Sequence, residues 1–108
     1  MKLIIAIINN DDSLTVQSEL VTKGYFVTKL SSTGGFLKQG NTTFLIGVED
    51  QKVDPVISII KENAHKRVIS EPTMPTGMMG DFLTPVMVDV TIGGATIFVL
   101  PIESFVKF

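Results

Sequence analysis

The run Lys2–Ile8, KLIIAII, constrains this chain more than any other stretch. Six apolar residues stand in a row, four of them β-branched isoleucines. That is far short of the ~18 apolar residues a membrane helix needs. A continuous β-branched run of this length reads as a central strand, covered on at least one face. The rest of the chain must therefore supply partner strands and a covering layer. NNDDS (9–13) breaks the run at once, and no small-residue cleavage site follows, so a first strand is expected here and not a signal peptide.

Asp11, Asp12 and Ser13 can each accept a hydrogen bond from an orphan N–H and so mark a helix start. Over Ser13–Lys23, Val16 and Leu20 recur at i,i+4 and Leu14 and Val21 at i,i+7, an amphipathic spacing that Gly24 ends. Strand chemistry returns in YFVTKLS (25–31) and NTTFLIGVE (41–49). The stretch between them, 32–40, is long for a hairpin turn. Asp54-Pro55 suits the N-cap and first position of a second helix, with an earlier start near Asp50 as the alternative. Val56, Ile60 and Ala64 give that helix its apolar face.

KRVIS (66–70) reads as a short edge strand, and the Pro-, Gly- and Met-rich 71–85 as a loop. VMVDVTIGGATIFVLP (86–101) reads as two strands of a hairpin turning at Gly93-Gly94. Right-handed crossovers then place both helices on one face of an antiparallel sheet. The expected architecture is a single α+β domain, 1–108, a ferredoxin-like βαββαβ sandwich with a C-terminal hairpin.

Composition narrows the function classes. A net charge of -2 argues against a nucleic-acid polymer or an acidic membrane as partner. With no Cys there is no disulfide, thiolate metal site or Cys nucleophile. His65, the only histidine, follows the second helix beside Lys66 and Arg67, where cations suit a helix C-terminus. No Asp, Glu and His cluster has metal-ligand spacing, and no serine has a positioned base. We expect no enzyme, no metal, no cofactor and a cytoplasmic protein.

SSTGGFLKQGNTTF (31–44) is the stretch with binding character. Gly34-Gly35 lacks the GK[ST] ending of a P-loop and precedes a strand, so that reading fails. Two readings remain, a structural turn or an anion-holding nest of N–H groups. Phe36-Leu37 at a loop tip favours a partner or ligand. By alternation Phe26, Thr28 and Leu30 share one strand face, and Asn41, Thr43, Leu45 and Gly47 share another. A pocket on those faces would have a hydroxyl and an amide at its rim and a glycine that admits a planar ring. Met74, Met78 and Met79 in the later loop suit an adaptable lid or a contact surface.

TKLSSTGGFLKQGNTTFLIGV (28–48) closely resembles the motif of the PII-like cyclic di-AMP receptor family of Gram-positive bacteria. MKLIIAI, VTIGGATIFVLP and the terminal Phe108 are also similar to that family. The resemblance implies a homotrimer of ferredoxin-like subunits with one cyclic di-AMP at each interface. It implies loops that change conformation on binding and signal to a downstream protein. Carried over by position, Thr28 meets a phosphate, and Gly35, Phe36 and Leu37 give loop N–H groups and apolar packing. Asn41 and Gly47 hold an adenine, and Phe98 lines the pocket.

Three differences from the family pattern fall at or near this site. Phe26 and Gly24 stand where the family has Arg and Asn, so a ring that stacks replaces a charge that pairs. Lys107 stands where it has a Gln and returns a positive charge. The Met-rich loop is also altered. The alternative reading is a member whose nucleotide ligand is lost or changed, acting as a trimeric interaction scaffold.

Overall fold

The computed structural model describes residues 1–30, 40–73 and 86–108. Strand β1 (Lys2–Asn9) lies inside a sheet of order β2-β3-β1-β6, where β2 is Thr28–Leu30, β3 Asn41–Val48 and β6 Ala95–Pro101. Every pairing is antiparallel, and β1 has a partner on both edges, as its apolar run demands. Alternation divides the sheet. Ile4, Ala6 and Ile8 of β1 and Phe44, Ile46 and Val48 of β3 are buried under the helices.

Helix α1 (Asn10–Thr22) begins earlier than the acidic pair suggested. Its cap is Asn9, whose side chain accepts from the Asp11 N–H at 2.9 Å. Asp11 and Asp12 instead occupy the first turn, where negative charge suits the helix dipole. Val16 and Leu20 face the core, but Leu14 and Val21 are 72% and 56% exposed. The expected apolar face is therefore only half used, because Leu14 lies some 200° round the helix from Val16. Gly24, at φ +89°, ends the helix as expected. Its N–H donates to Val21 and that of Tyr25 to Leu20, a Schellman pattern.

A 3-10 turn at Asp50–Lys52 leads into α2 (Val53–Ala64), so the earlier helix start is the one adopted. Pro55 falls in the first turn, where its missing N–H costs nothing. Val56, Ile59, Ile60 and Ala64 complete the core with α1 and the sheet. This is the α+β, ferredoxin-like arrangement expected.

The C-terminal strands differ from the expected hairpin. β5 (Val86–Ile92) pairs with β4 (Arg67–Thr73) as a separate two-stranded ribbon, and β6 pairs with β1. Gly93 and Gly94, at φ +81° and +88°, turn the chain from ribbon to sheet. The free edge of β1 decides this: β6 covers it over seven residues and sets Ile97 opposite Ala6. β4 is correspondingly a ribbon strand and not an edge of the main sheet. It extends to Thr73 into the expected loop, and the rest of that loop, with its three methionines, lies outside the described residues.

Candidate functional site

The face of the sheet away from the helices carries the residues of interest. Register puts Leu3 opposite Gly47, Ile5 opposite Leu45 and Phe98, and Asn9 opposite Asn41. Thr28 lies opposite Leu45 and Leu30 opposite Thr43, so the shared strand faces expected from alternation are present. Among the described residues, no helix covers this side. Phe98 and Leu100 are exposed, and Leu3, Ile5 and Ile7 are only partly buried.

A cleft of about 670 Å³ opens at one end of this face. Its floor is Leu3, Leu45 and Gly47, and one wall is Phe26, Val27 and Thr28. The other wall is the segment after β6, with Ile102, Phe105, Val106 and Lys107. That segment is drawn across by the Ile102 N–H, which donates to the Met1 carbonyl at 3.1 Å. The Met1 amine is 2.9 Å from Asp50, whose carboxylate it holds below its ordinary pKa by hydrogen bond and charge. A Cβ at Gly47 would meet only Met1 Cε and Ile102 Cδ1, at 3.8 and 4.0 Å. The glycine therefore leaves the floor flat and open.

Phe26 and Lys107 touch each other. The Lys107 ammonium sits 4.7 Å from the centroid of the Phe26 ring, which is otherwise 80% exposed. A cation–π contact of this kind contributes about 0.5–1 kcal/mol at an exposed site. It parks a positive charge at the mouth of an apolar cleft lined, among the described residues, by no carboxylate. Such a cleft suits a flat, neutral ring joined to an anion.

Phe26, Thr28, Gly47 and Lys107 are thus brought together. Phe98 shares the sheet face but lies outside the cleft, on β6 opposite Ile5. Asn41 is also on this face but at the far end of β3 from Gly47, six residues or about 20 Å away. Within one chain Asn41 and Gly47 are therefore held apart, because an extended strand keeps its ends separate. Gly35, Phe36 and Leu37 lie outside the described residues.

Asn41 belongs to a second, more polar cleft of about 390 Å³, with Asn9, Lys66, Gly93, Gly94 and Thr96. Sequence reading missed Lys66, Asn9 and Thr96. Only the Asn9–Asn41 pairing had a signal, since both asparagines border the strands that turn out to be neighbours. Among the described residues, no group of His, Cys, Asp and Glu could hold a metal ion.

A family model described as cyclic-di-AMP receptor matches residues 1–108. The chain is also similar to a crystal structure of a functionally unknown protein from Pediococcus pentosaceus. The two are 40% identical, the match covers 99% of this chain and 96% of that one, and the TM-score is 0.74.

Proposed function

Since the chain belongs to the cyclic-di-AMP receptor family, we propose that it is a non-enzymatic signal receptor that binds cyclic di-AMP between the subunits of a homotrimer. The observation that carries this reading is the cleft in which Phe26, Thr28, Gly47 and Lys107 meet. Gly47 admits an adenine to the floor, with Leu3 and Leu45 against its faces. Phe26 stacks at the rim. The Thr28 hydroxyl donates to a phosphate oxygen, and Lys107 neutralises its charge in place of an arginine.

The cleft opens onto an apolar sheet face that the helices leave bare, which favours subunits meeting there. Oligomerisation would also offset the modest burial a chain of this length achieves alone. Phe98 would then face a neighbouring subunit's ligand, and Gly35, Phe36 and Leu37 would close over the site from their loop. Signalling to a downstream protein would follow from a conformational state that the ligand binds better than its alternative. The cytoplasm is where we place the protein, since its messenger acts there. No helix among the described residues is long and apolar enough to cross a membrane.

Titration calorimetry against cyclic di-AMP, cyclic di-GMP, ATP and AMP tests the reading. Cyclic di-AMP should bind tightest, and Thr28→Ala should weaken it about tenfold, the loss of one phosphate hydrogen bond. No heat and no thermal shift with any adenine nucleotide at millimolar concentration would refute it and leave the scaffold reading in its place.

A further inference from the structure

Two distant parts of the chain are tied to one turn of α1. Asn10, the first residue of that helix, has an N–H with no partner inside it, and this N–H donates to the Gly40 carbonyl at 2.8 Å. The Asn10 side chain accepts from the Thr42 hydroxyl, so one residue holds the chain on both sides of Asn41. Gly40, at φ +93°, is where the chain passes from 31–39 into β3. Two residues further along α1, the buried Asp12 takes the Arg67 guanidinium in two contacts of 2.7 and 3.2 Å. Arg67 opens β4 and stands opposite Ile92, the last residue of β5. A single helical turn therefore holds both the exit of 31–39 and the root of the ribbon.

Little else fixes the ribbon. Among the described residues β4 and β5 pack chiefly on each other. Their root is held by Arg67 on Asp12, by Arg67 on the His65 carbonyl, and by the Gly94 N–H on the Ala64 carbonyl. Of these, the Asp12 tie is the one that reaches α1. A guanidinium held by two prongs fixes direction as well as distance. A displaced first turn of α1 therefore either breaks this tie or turns the ribbon with it.

We propose that the first turn of α1 couples the 31–39 segment to the β4–β5 ribbon, with Asn10 and Asp12 as positioning residues that act through Gly40 and Arg67. What the coupling transmits rests on the receptor reading above, in which Gly35, Phe36 and Leu37 meet the nucleotide. A ligand that fixes their segment fixes Gly40, Gly40 sets Asn10, and the same turn sets Asp12 against Arg67. The ribbon is then the output of the binding site. Such coupling is reciprocal: the factor by which ligand strengthens the Arg67 tie is the factor by which losing that tie weakens ligand binding.

Amide hydrogen exchange in the ribbon, with and without ligand, is the test. Thr42→Val keeps the shape of the side chain and removes the hydroxyl that holds Asn10. In ligand-free protein it should speed exchange over Val68–Ser70 and Met87–Ile92 about tenfold, the loss of one hydrogen bond, although Thr42 belongs to the other sheet. Arg67→Lys keeps the charge on Asp12 without the second prong and should speed the same amides. The two changes together should add little to either one, because both release the same tie. Either variant decides the matter if the other does not fold. Saturating cyclic di-AMP should slow these amides in the wild type, and Arg67→Lys should bind it about fivefold or more weakly. Ribbon exchange that Thr42→Val leaves unmoved, or effects that simply add, would overturn the inference. So would wild type that binds cyclic di-AMP with no change in the ribbon. Wild type that does not bind would overturn the receptor reading, and the ligand-free comparison then decides by itself whether the turn couples the two segments.

Discussion

At the scale of single residues, Phe26 and Lys107 act as one unit. The ring holds the ammonium over the cleft, and the ammonium gives an exposed ring a reason to stay in place. Lys107→Gln should lower cyclic di-AMP affinity about ten- to a hundredfold, as for other charged contacts. Phe26→Ala should cost about five- to tenfold, through lost stacking and a less ordered Lys107. Calorimetry at low and high salt separates them, because only Lys107→Gln should flatten the salt dependence. A Lys107→Gln variant with wild-type affinity would remove Lys107 from the site. This pair was half legible in the sequence. Both residues stood out as departures from the family pattern, but their contact spans 81 positions (107 minus 26), and no local rule joins them. Lys66 was less legible still. It looked like a cation placed for a helix end, and only the fold sets it beside Asn41.

At the scale of elements, the Gly93-Gly94 turn decides where the last strands go. A Cβ at Gly93 would stand 2.5 Å from the His65 carbonyl and 2.7 Å from Arg67 Nη1, whereas one at Gly94 would meet only Lys66 Cβ at 3.8 Å. Both have positive φ, which costs an L-residue about 1–2 kcal/mol. Gly93→Ala should therefore lower the melting temperature well beyond Gly94→Ala, by about 10 °C or more against about 5 °C. Equal effects, measured by thermal denaturation, would show that the close approach at Gly93 does not matter. The clash partner is the junction itself: Arg67, at the start of the ribbon, grips Asp12 of α1 and the His65 carbonyl at 3.1 Å. Hydrogen bonding to the Asp12 carboxylate raises the Arg67 pKa above its ordinary value.

Legibility at this scale followed locality. β1, β3 and α2 could be read because their periodicity and end signals lie within each element. β5 and β6 could not be assigned to their sheets. Gly-Gly between two apolar runs is a hairpin signal, and nothing local reveals that the edge of β1 is free to capture the second run. Leu14 and Val21 misled for a related reason. Their spacing is helical, but which stripe is buried depends on where the sheet lies.

At the scale of the whole molecule, the sheet has a helical layer on one face and, among the described residues, an uncovered apolar surface on the other. Leu3, Ile5, Leu45, Phe98 and Leu100 share that surface, and both clefts border it. A face of this kind in water calls for a partner, and the three copies of the proposed ring would cover it. Binding and assembly are then linked, so ligand should stabilise the trimer as well as the subunit. Native mass spectrometry during a cyclic di-AMP titration tests this most directly, because it counts chains and ligands in the same ion. The account predicts a trimer that fills to three ligands, one per interface. A monomer, or a trimer that takes up none at saturating ligand, would contradict it.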